Sequence, residues 1–342
     1  MDEPLVSIIV PLHNCEKTVS RCVEAILSQR YRNLEILLID DGSTDQTLAY
    51  IQNYAGSDNR VRWWTVKNQG VSDTRNFGLK RVHGKYLMFV DGDDYPGRNF
   101  VSRMVNLMEG NSHCDMGICS YYRVIDHYNL AVRPLIRKGR MERNSYLVST
   151  LRDPGHHYFG VVWNKIFRTD IVLDNNIRFD PDITLGEDFV FTLQYLLYVS
   201  DICVTYEKLY YYVYSERSTL SRIHNKKESD CRAEMMNREK IFRQYVTDFR
   251  KTGLETIFRR KMYDYWIMFE IRQTYSVAHE YNWDDAVKKH WIDQMSSEQN
   301  IRRAHTYYSQ NEIDRKTTVY AVSYKTKQVV KALTWVIIRK KC

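Results

Sequence analysis

The chain has 342 residues, 44% of them hydrophobic and 27% charged, with only 6 Pro and 14 Gly; this is the make-up of a soluble globular protein with one large domain or a domain plus an appendage, and it excludes long disordered linkers. The net charge of +8 is unevenly placed: residues 1–221 carry 25 Lys+Arg against 27 Asp+Glu, residues 222–342 carry 25 against 15, and after Asp314 there are eight basic residues and no acidic one. Seven cysteines, an odd count without a CxxC pair, argue against a disulfide scaffold or a structural zinc site and fit free thiols in a reducing cytoplasm.

"VSIIVPL" reads as a buried strand, and "EKTVSRCVEAILSQ" follows as a helix with Val19, Cys22, Val23, Ile26 and Leu27 on one face. "LEILLID" is a second buried strand. "STDQTLAYIQNYA" then reads as a helix, with Ser43 and Gln46 at capping-box spacing. "VRWWTV" is a third strand, "SDTRNFGLKRV" a short helix, "KYLMFVD" a fourth strand, "NFVSRMVNLME" a helix and "DMGICSYYRVI" a fifth strand. Further on, "GEDFVFTLQYLLYV" is a strong helix, "YYYVYSERSTLSR" a strand or loop, and residues 228–313 are mostly helical with many aromatics. Continuous apolar strands alternating with helices predict an α/β fold with a mostly parallel sheet covered on both faces. No stretch approaches the roughly 20 apolar residues a membrane span needs, and the N-terminal segment lacks the basic flank and cleavage site of a signal peptide.

Ligands of such sheets bind beyond the carboxyl ends of the strands. Asp40, Asp41, Asp91, Asp93 and Asp94 all fall there. Three carboxylates within four residues suit a hard divalent cation, Mn²⁺ or Mg²⁺, held by few protein oxygens and completed by phosphates. An EF-hand is excluded, because its final Glu position falls on Ser102. Each Asp cluster taken alone is also an ordinary Asp-Gly turn. Together they suggest one site, in which one carboxylate accepts the N–H groups of a nucleobase and another holds the metal on a diphosphate. A phosphoacceptor receiver domain also pairs aspartates at a strand end, but it needs a lone Asp at the later strand, where this chain has a cluster. His156 and His157 in "DPGHHYFG" read as a surface pair rather than metal ligands.

"VSIIVPLHN", "LLIDDGSTDQT", "NQGVSDTRNFGL" and "YLMFVDGDDY" together resemble the successive motifs of the family 2 glycosyltransferases, which have the Rossmann-like GT-A fold. The resemblance is close over residues 5–125, and "WNKIFR" and "GEDFVFTLQYL" extend it to about residue 220. It implies inverting transfer of a sugar from a nucleotide diphosphate donor, here a UDP-sugar, to a glycan or lipid-linked glycan acceptor. By motif, Asp41 matches the residue that hydrogen-bonds uracil, with Asp40 beside it, and Pro11 and Asn14 flank the base. His13 stands where the family often has Tyr. Arg75 matches a basic residue near the nucleotide, Asp91 and Asp93 match the metal-binding DxD pair with Asp93 as the direct ligand, and Asp188 matches the catalytic base. Glu187 would orient the sugar. Arg217, Ser218 and Ser221 stand in the segment near the donor diphosphate, where Val213 replaces an Arg common among relatives. Asp188 is expected to be kept ionised by the dipole of its helix. Two other readings use the same residues: a nucleotidyltransferase acting on sugar phosphates, and a non-catalytic sugar-nucleotide-binding protein.

The expected organisation is a catalytic domain over residues 1–222 followed by a helical, basic, aromatic-rich region over 223–342. In the tail, Val329, Ala332, Leu333 and Val336 fall at helical spacing beside Trp335 and basic residues. That pattern fits a segment lying on the inner face of an anionic membrane; a helix packed on the domain or a contact in a homo-oligomer would use the same face. No nucleic-acid-binding module is recognisable.

Overall fold

A computed structural model describes residues 3–110, 114–125, 128–132, 134–150, 157–183, 186–214, 228–253 and 286. In chain order the elements begin β1 (Val6–Leu12), α1 (Val19–Leu27), β2 (Leu34–Asp40), α2 (Thr47–Ser57), β3 (Val61–Thr65), α3 (Val71–Leu79) and β4 (Tyr86–Phe89). There follow β5 (Tyr95–Pro96), α4 (Phe100–Glu109), β6 (Met116–Ile125), β7 (Tyr128–Ala131), β8 (Gly139–Glu142), α5 (Arg143–Thr150) and α6 (His157–Gly160). The rest are β9 (Lys165–Arg168), α7 (Thr169–Asp174), α8 (Glu187–Leu196), β10 (Asp201–Val213) and α9 (Glu228–Lys251). Among the described residues no helix is long and apolar enough to cross a membrane.

The strands form one sheet in the order β3-β2-β1-β4-β9-β6-β10-β5, with β7 on β6 and β8 on β10. The first four strands are parallel, as the alternating apolar runs predict. Beyond β4 the sheet is mixed: β9 runs antiparallel to both β4 and β6, while β10 is parallel to β6 and antiparallel to β5. All seven residues of β1 and of β2 are buried, the signature of strands covered on both faces. The capping box expected at Ser43 and Gln46 does not form. The helix starts later, at Thr47, whose amide donates to the Asp45 carboxylate (2.9 Å), and the Ser43 hydroxyl accepts the amide of Asn14 instead (2.9 Å).

The chain divides into two compact units, residues Met1–Ser221 with Ala233–Leu254, and Arg222–Arg232 with Glu255–Cys342. The tail from residue 315 onward lies outside the described residues. Within the first unit, α9 packs Phe242 and Val246 inward, and Ile241 presses on Gly186, where an added Cβ would lie 2.8 Å from the Ile241 Cδ1.

One polar group is locked inside the parallel half. Glu35, on β2 and 7% exposed, accepts the Ser7 hydroxyl, the amides of His83 (2.5 Å) and Gly84 (3.1 Å), and lies 3.1 Å from the His83 Nδ1. Burial pushes the Glu35 carboxyl up, but these donors more than reverse it and hold it below the ordinary value. The stabilisation is thus complete above the unfolded glutamate pKa of about 4.3 and is lost as pH falls through the lower folded value. Glu35→Ala strands several buried donors, so chemical denaturation at neutral pH should show a loss of about 2–4 kcal/mol, shrinking toward acidic pH. A pH-independent loss would contradict this account.

Candidate active site

The loops after β1, β2 and β4 meet at one rim of the sheet. The Asp41 amide donates to the Leu12 carbonyl (2.8 Å), and Asn14 adopts a left-handed backbone (φ 51°) that lets its Oδ1 accept the Thr44 amide (2.8 Å). Pro11, buried in β1, sits opposite Ile39 of β2. Gly42, also left-handed (φ 65°), is pressed so closely on the neighbouring loop that an added Cβ would lie 2.9 Å from the Asn68 amide nitrogen. Asp40 accepts the Ser43 amide (3.2 Å) and the Thr65 hydroxyl (2.8 Å). Asp41 accepts the amides of Gln69 and Gly70, both at 3.0 Å. Both aspartates are therefore fixed by the turns they join. A carboxylate oxygen has a second lone pair, so the Asp41 oxygens retain acceptor capacity for a base. His13, where an aromatic ring was the alternative, puts Nδ1 2.9 Å from the Asp41 carbonyl oxygen and Nε2 3.3 Å from the Asn68 side-chain Nδ2.

The centre of the rim is Arg75. Its guanidinium, on α3 and 3% exposed, gathers three carboxylates: Asp91 (2.8 Å), Glu187 (3.1 Å) and Asp188 (2.6 Å). The Phe179 ring lies 5.1 Å from it. Phe179 stacks on Phe191 of α8 (4.2 Å) and meets Phe89 of β4 edge-on (5.4 Å), contacts worth about 0.5–1.5 kcal/mol each beyond burial. An aromatic cluster thus sets the start of α8 against the end of β4, and Arg75 ties them electrically. Motifs up to 113 residues apart are joined in this way.

The start of α8 is built tightly. Gly186 takes the left-handed region (φ 91°) that favours glycine and precedes Glu187 and Asp188 in the first turn. The second Asp188 oxygen accepts the Val162 amide (3.3 Å). The expected effect of the helix dipole does not decide the ionisation of Asp188. Burial pushes its carboxyl up, Arg75 opposes, and Glu187 and Asp91 push further, to about 7. A dipole at a helix end contributes only about 0.3–1 kcal/mol at exposed sites, too little against this burial.

The acidic loop after β4 separates into roles. Asp94, 1% exposed, accepts the Val213 amide (2.7 Å), and its Oδ2 has no partner among the described residues; it anchors β10 to the loop. Asp91 offers its amide to the Tyr210 hydroxyl (3.2 Å). Gly92 is pinned, since an added Cβ would lie 2.4 Å from the Leu12 Cδ2. Asp93 is pushed up to about 6, by burial first and then by repulsion from Asp91. A pair of repelling carboxylates suits a hard divalent ion that takes one or two protein oxygens and fills its other positions with phosphates and water. Among the described residues no group of three or more His, Cys, Asp or Glu converges as a closed metal site. Asp91, already paired with Arg75, and Asp93 are the residues that fit.

Arg217, Ser218, Ser221 and His156 lie outside the described residues, as does the side chain of His157. Three contributors went unnoticed in the sequence: Phe179 beneath Arg75, Tyr210 against Asp91, and Trp163, which stacks on Tyr210 (4.6 Å) and Tyr212 (5.5 Å). The run "YYY" and the Trp of "WNKIFR" were the available signals.

Residues 7–174 match the model of the family described as Glycosyl transferase family 2. The uncharacterized glycosyltransferase EpsJ of Bacillus subtilis (strain 168) is 31% identical over 210 residues, 61% of this chain and 61% of that protein's length. Among solved structures, S. aureus TarS 1–349 in complex with UDP superposes with a TM-score of 0.65 at 21% identity, over 94% of this chain and 91% of that one. The mannosyltransferase PcManGT from Pyrobaculum calidifontis, in complex with GDP-Man and Mn2+, gives 0.53 at 14% identity, over 96% and 88%. At these identities the structural likeness is one of fold, that of the GT-A transferases.

Proposed function

We propose that this chain, whose residues 7–174 match the glycosyl transferase family 2 model, moves a sugar from a UDP-sugar to a glycan or lipid-linked glycan acceptor by one inverting displacement. The observation that carries the reading is the grip of Arg75 on Asp91, Glu187 and Asp188, which puts a metal-side carboxylate and a candidate base within reach of one cleft. In the step, the acceptor oxygen bonds to the anomeric carbon as the bond from that carbon to the diphosphate breaks. The electron pair leaves with UDP, and the acceptor's hydroxyl proton passes to Asp188. A carboxyl with a pKa near 7 is matched to accepting a proton at neutral pH. Asp91 and Asp93 would hold Mn²⁺ or Mg²⁺, which when bound neutralises charge on the leaving diphosphate. Asp41, with Pro11, Asn14 and Asp40 shaping its loop, faces the base, and Glu187 orients the sugar. Arg217 and Ser218 serve the diphosphate in this reading, and the basic segment 315–342 attaches the protein to the cytoplasmic face of a membrane where a lipid-linked acceptor would lie.

A thermal-shift panel of UDP-, GDP- and dTDP-sugars, with and without Mn²⁺, tests the donor assignment. UDP compounds with Mn²⁺ should raise the midpoint most, since binding at about 100 times Kd adds about 2.7 kcal/mol to stability. A larger shift with GDP-sugars would overturn the role of Asp41.

A further inference from the structure

Asp188 faces a second cation besides Arg75. Lys165, the first residue of β9, is 0% exposed. Its ammonium spends its donors on neutral oxygens: the carbonyls of Val161 (2.5 Å) and Tyr158 (3.3 Å) and the Oδ1 of Asn164 (2.9 Å). Asn164 in turn donates to the Cys119 carbonyl of β6 (3.2 Å). The lysine therefore fastens the turn of residues 158–164 at both ends. That turn delivers the Val162 amide to Asp188, and it is held on α8 by the Thr192 hydroxyl, which donates to the Gly160 carbonyl (3.2 Å).

Fastening a turn does not require a charge. A buried ammonium is costly, and an apolar side chain of similar volume is often as stabilising. The compensation lies across the turn, in the carboxylates around Arg75. We propose that Lys165 is a positioning residue for the base: its ammonium holds the 158–164 turn so that Val162 N–H meets Asp188, and its charge balances that carboxylate. The inference rests on the reading of Asp188 as proton acceptor.

The surrounding groups fit. Lys165 is faced by Asp188 from α8, by the Cys119 thiol from β6 and by Tyr158 from α6; burial pushes it down to about 7, with Asp188 as the main opposing charge. Asp188 is faced by Arg75 from α3, by Glu187 on its own helix and by Asp91 after β4. Arg75 is the main charge favouring the Asp188 carboxylate, whereas Asp188 is the main charge favouring the Lys165 ammonium, so a proton arriving on Asp188 removes the counter-ion of Lys165.

The test uses the full chain and two substitutions. Lys165→Gln keeps a hydrogen-bonding group without the charge, and Lys165→Met keeps neither. Hydrolysis of the UDP-sugar that gives the largest thermal shift, read as UDP release with Mn²⁺, should lose its acid limb at a midpoint about one pH unit higher in both variants, with UDP affinity by calorimetry unchanged. Rates restored by Gln, with the midpoint unmoved in both, would overturn the charge role. A second measurement needs no substrate and no Lys165 variant. In protein labelled with ¹³C-lysine, the ¹³Cε resonance that titrates near neutral pH should shift its midpoint down by about one unit in Asp188→Asn. An unmoved midpoint would refute the pairing. If the wild type releases no UDP from any UDP-sugar, the transferase reading falls while the resonance experiment still decides the pairing.

Discussion

Asp188→Asn is expected to lower sugar transfer by about 10³-fold or more while leaving the binding of UDP with Mn²⁺ unchanged by calorimetry. The amide keeps the shape and one acceptor oxygen, which can serve Arg75 or Val162 but not both, and it takes no proton at neutral pH. The protein should remain folded. A carboxyl whose folded pKa is raised to about 7 costs stability at every pH above its unfolded value of about 3.9, because folding disfavours its ionised form. Replacing it by a neutral amide removes that cost. In the wild type the same shift predicts an acid limb: transfer falls as pH drops through about 7, and near pH 6 only about a tenth of the base is ionised. Loss of UDP binding in the variant, or a rate flat from pH 8 to pH 6, would remove Asp188 from its role.

Arg75→Met should do more damage, because it acts on three carboxylates at once. The guanidinium is 3% exposed and reaches Asp91, Glu187 and Asp188 at 2.6–3.1 Å. Removing it leaves buried negative charge unpaired, which costs about 3–5 kcal/mol. Transfer should vanish along with the alignment of α8 on β4. The deficit has a sign in pH: protonation relieves the unpaired carboxylates, so urea midpoints of variant and wild type should converge as pH falls below about 7 and separate above it. Arg75→Lys is not a conservative control, since one ammonium cannot bridge three carboxylates with the fork of a guanidinium. A loss under about 1 kcal/mol at neutral pH would show that Arg75 is a surface-like pair and not the tie between the two halves of the cleft.

The parallel half was readable because its physics is local. β1, β2 and β4 are continuous apolar runs, and the helix faces repeat with one period. The residues that end on carboxylates were readable for the same reason, as charges cannot continue a buried strand. The other half resisted. β9 is four residues long and two of them are basic, so nothing in "KIFR" announces a central strand; its buried Lys165 is supplied with acceptors by the turn just before it, which the sequence does not show. β10 was half seen, and two register shifts against β6 break its alternation. The two-residue β5 exists only as the partner of β10. The sequence shows that a helix starts at Glu187, but not that folding buries Asp188 and sets it beside Arg75, Glu187 and Asp91. The hub at Arg75 is invisible for the same reason: an arginine in "SDTRN" gives no sign of the three partners that come from two other motifs.

The interleaved strand order has a consequence for biosynthesis. β4 and β6 flank a gap that β9 fills, and β10 separates β6 from β5, so the sheet cannot be completed in the sequence in which its strands leave the ribosome. A nascent chain can assemble the nucleotide-side layers early, as β1 to β4 need only one another. Asp188, the proposed proton acceptor, arrives about a hundred residues later, and Ile241 of α9 reaches Gly186 later still. On the proposed reading, a nascent chain that has completed β1 to β4 still lacks Asp188 and is spared the ability to squander activated sugar on water.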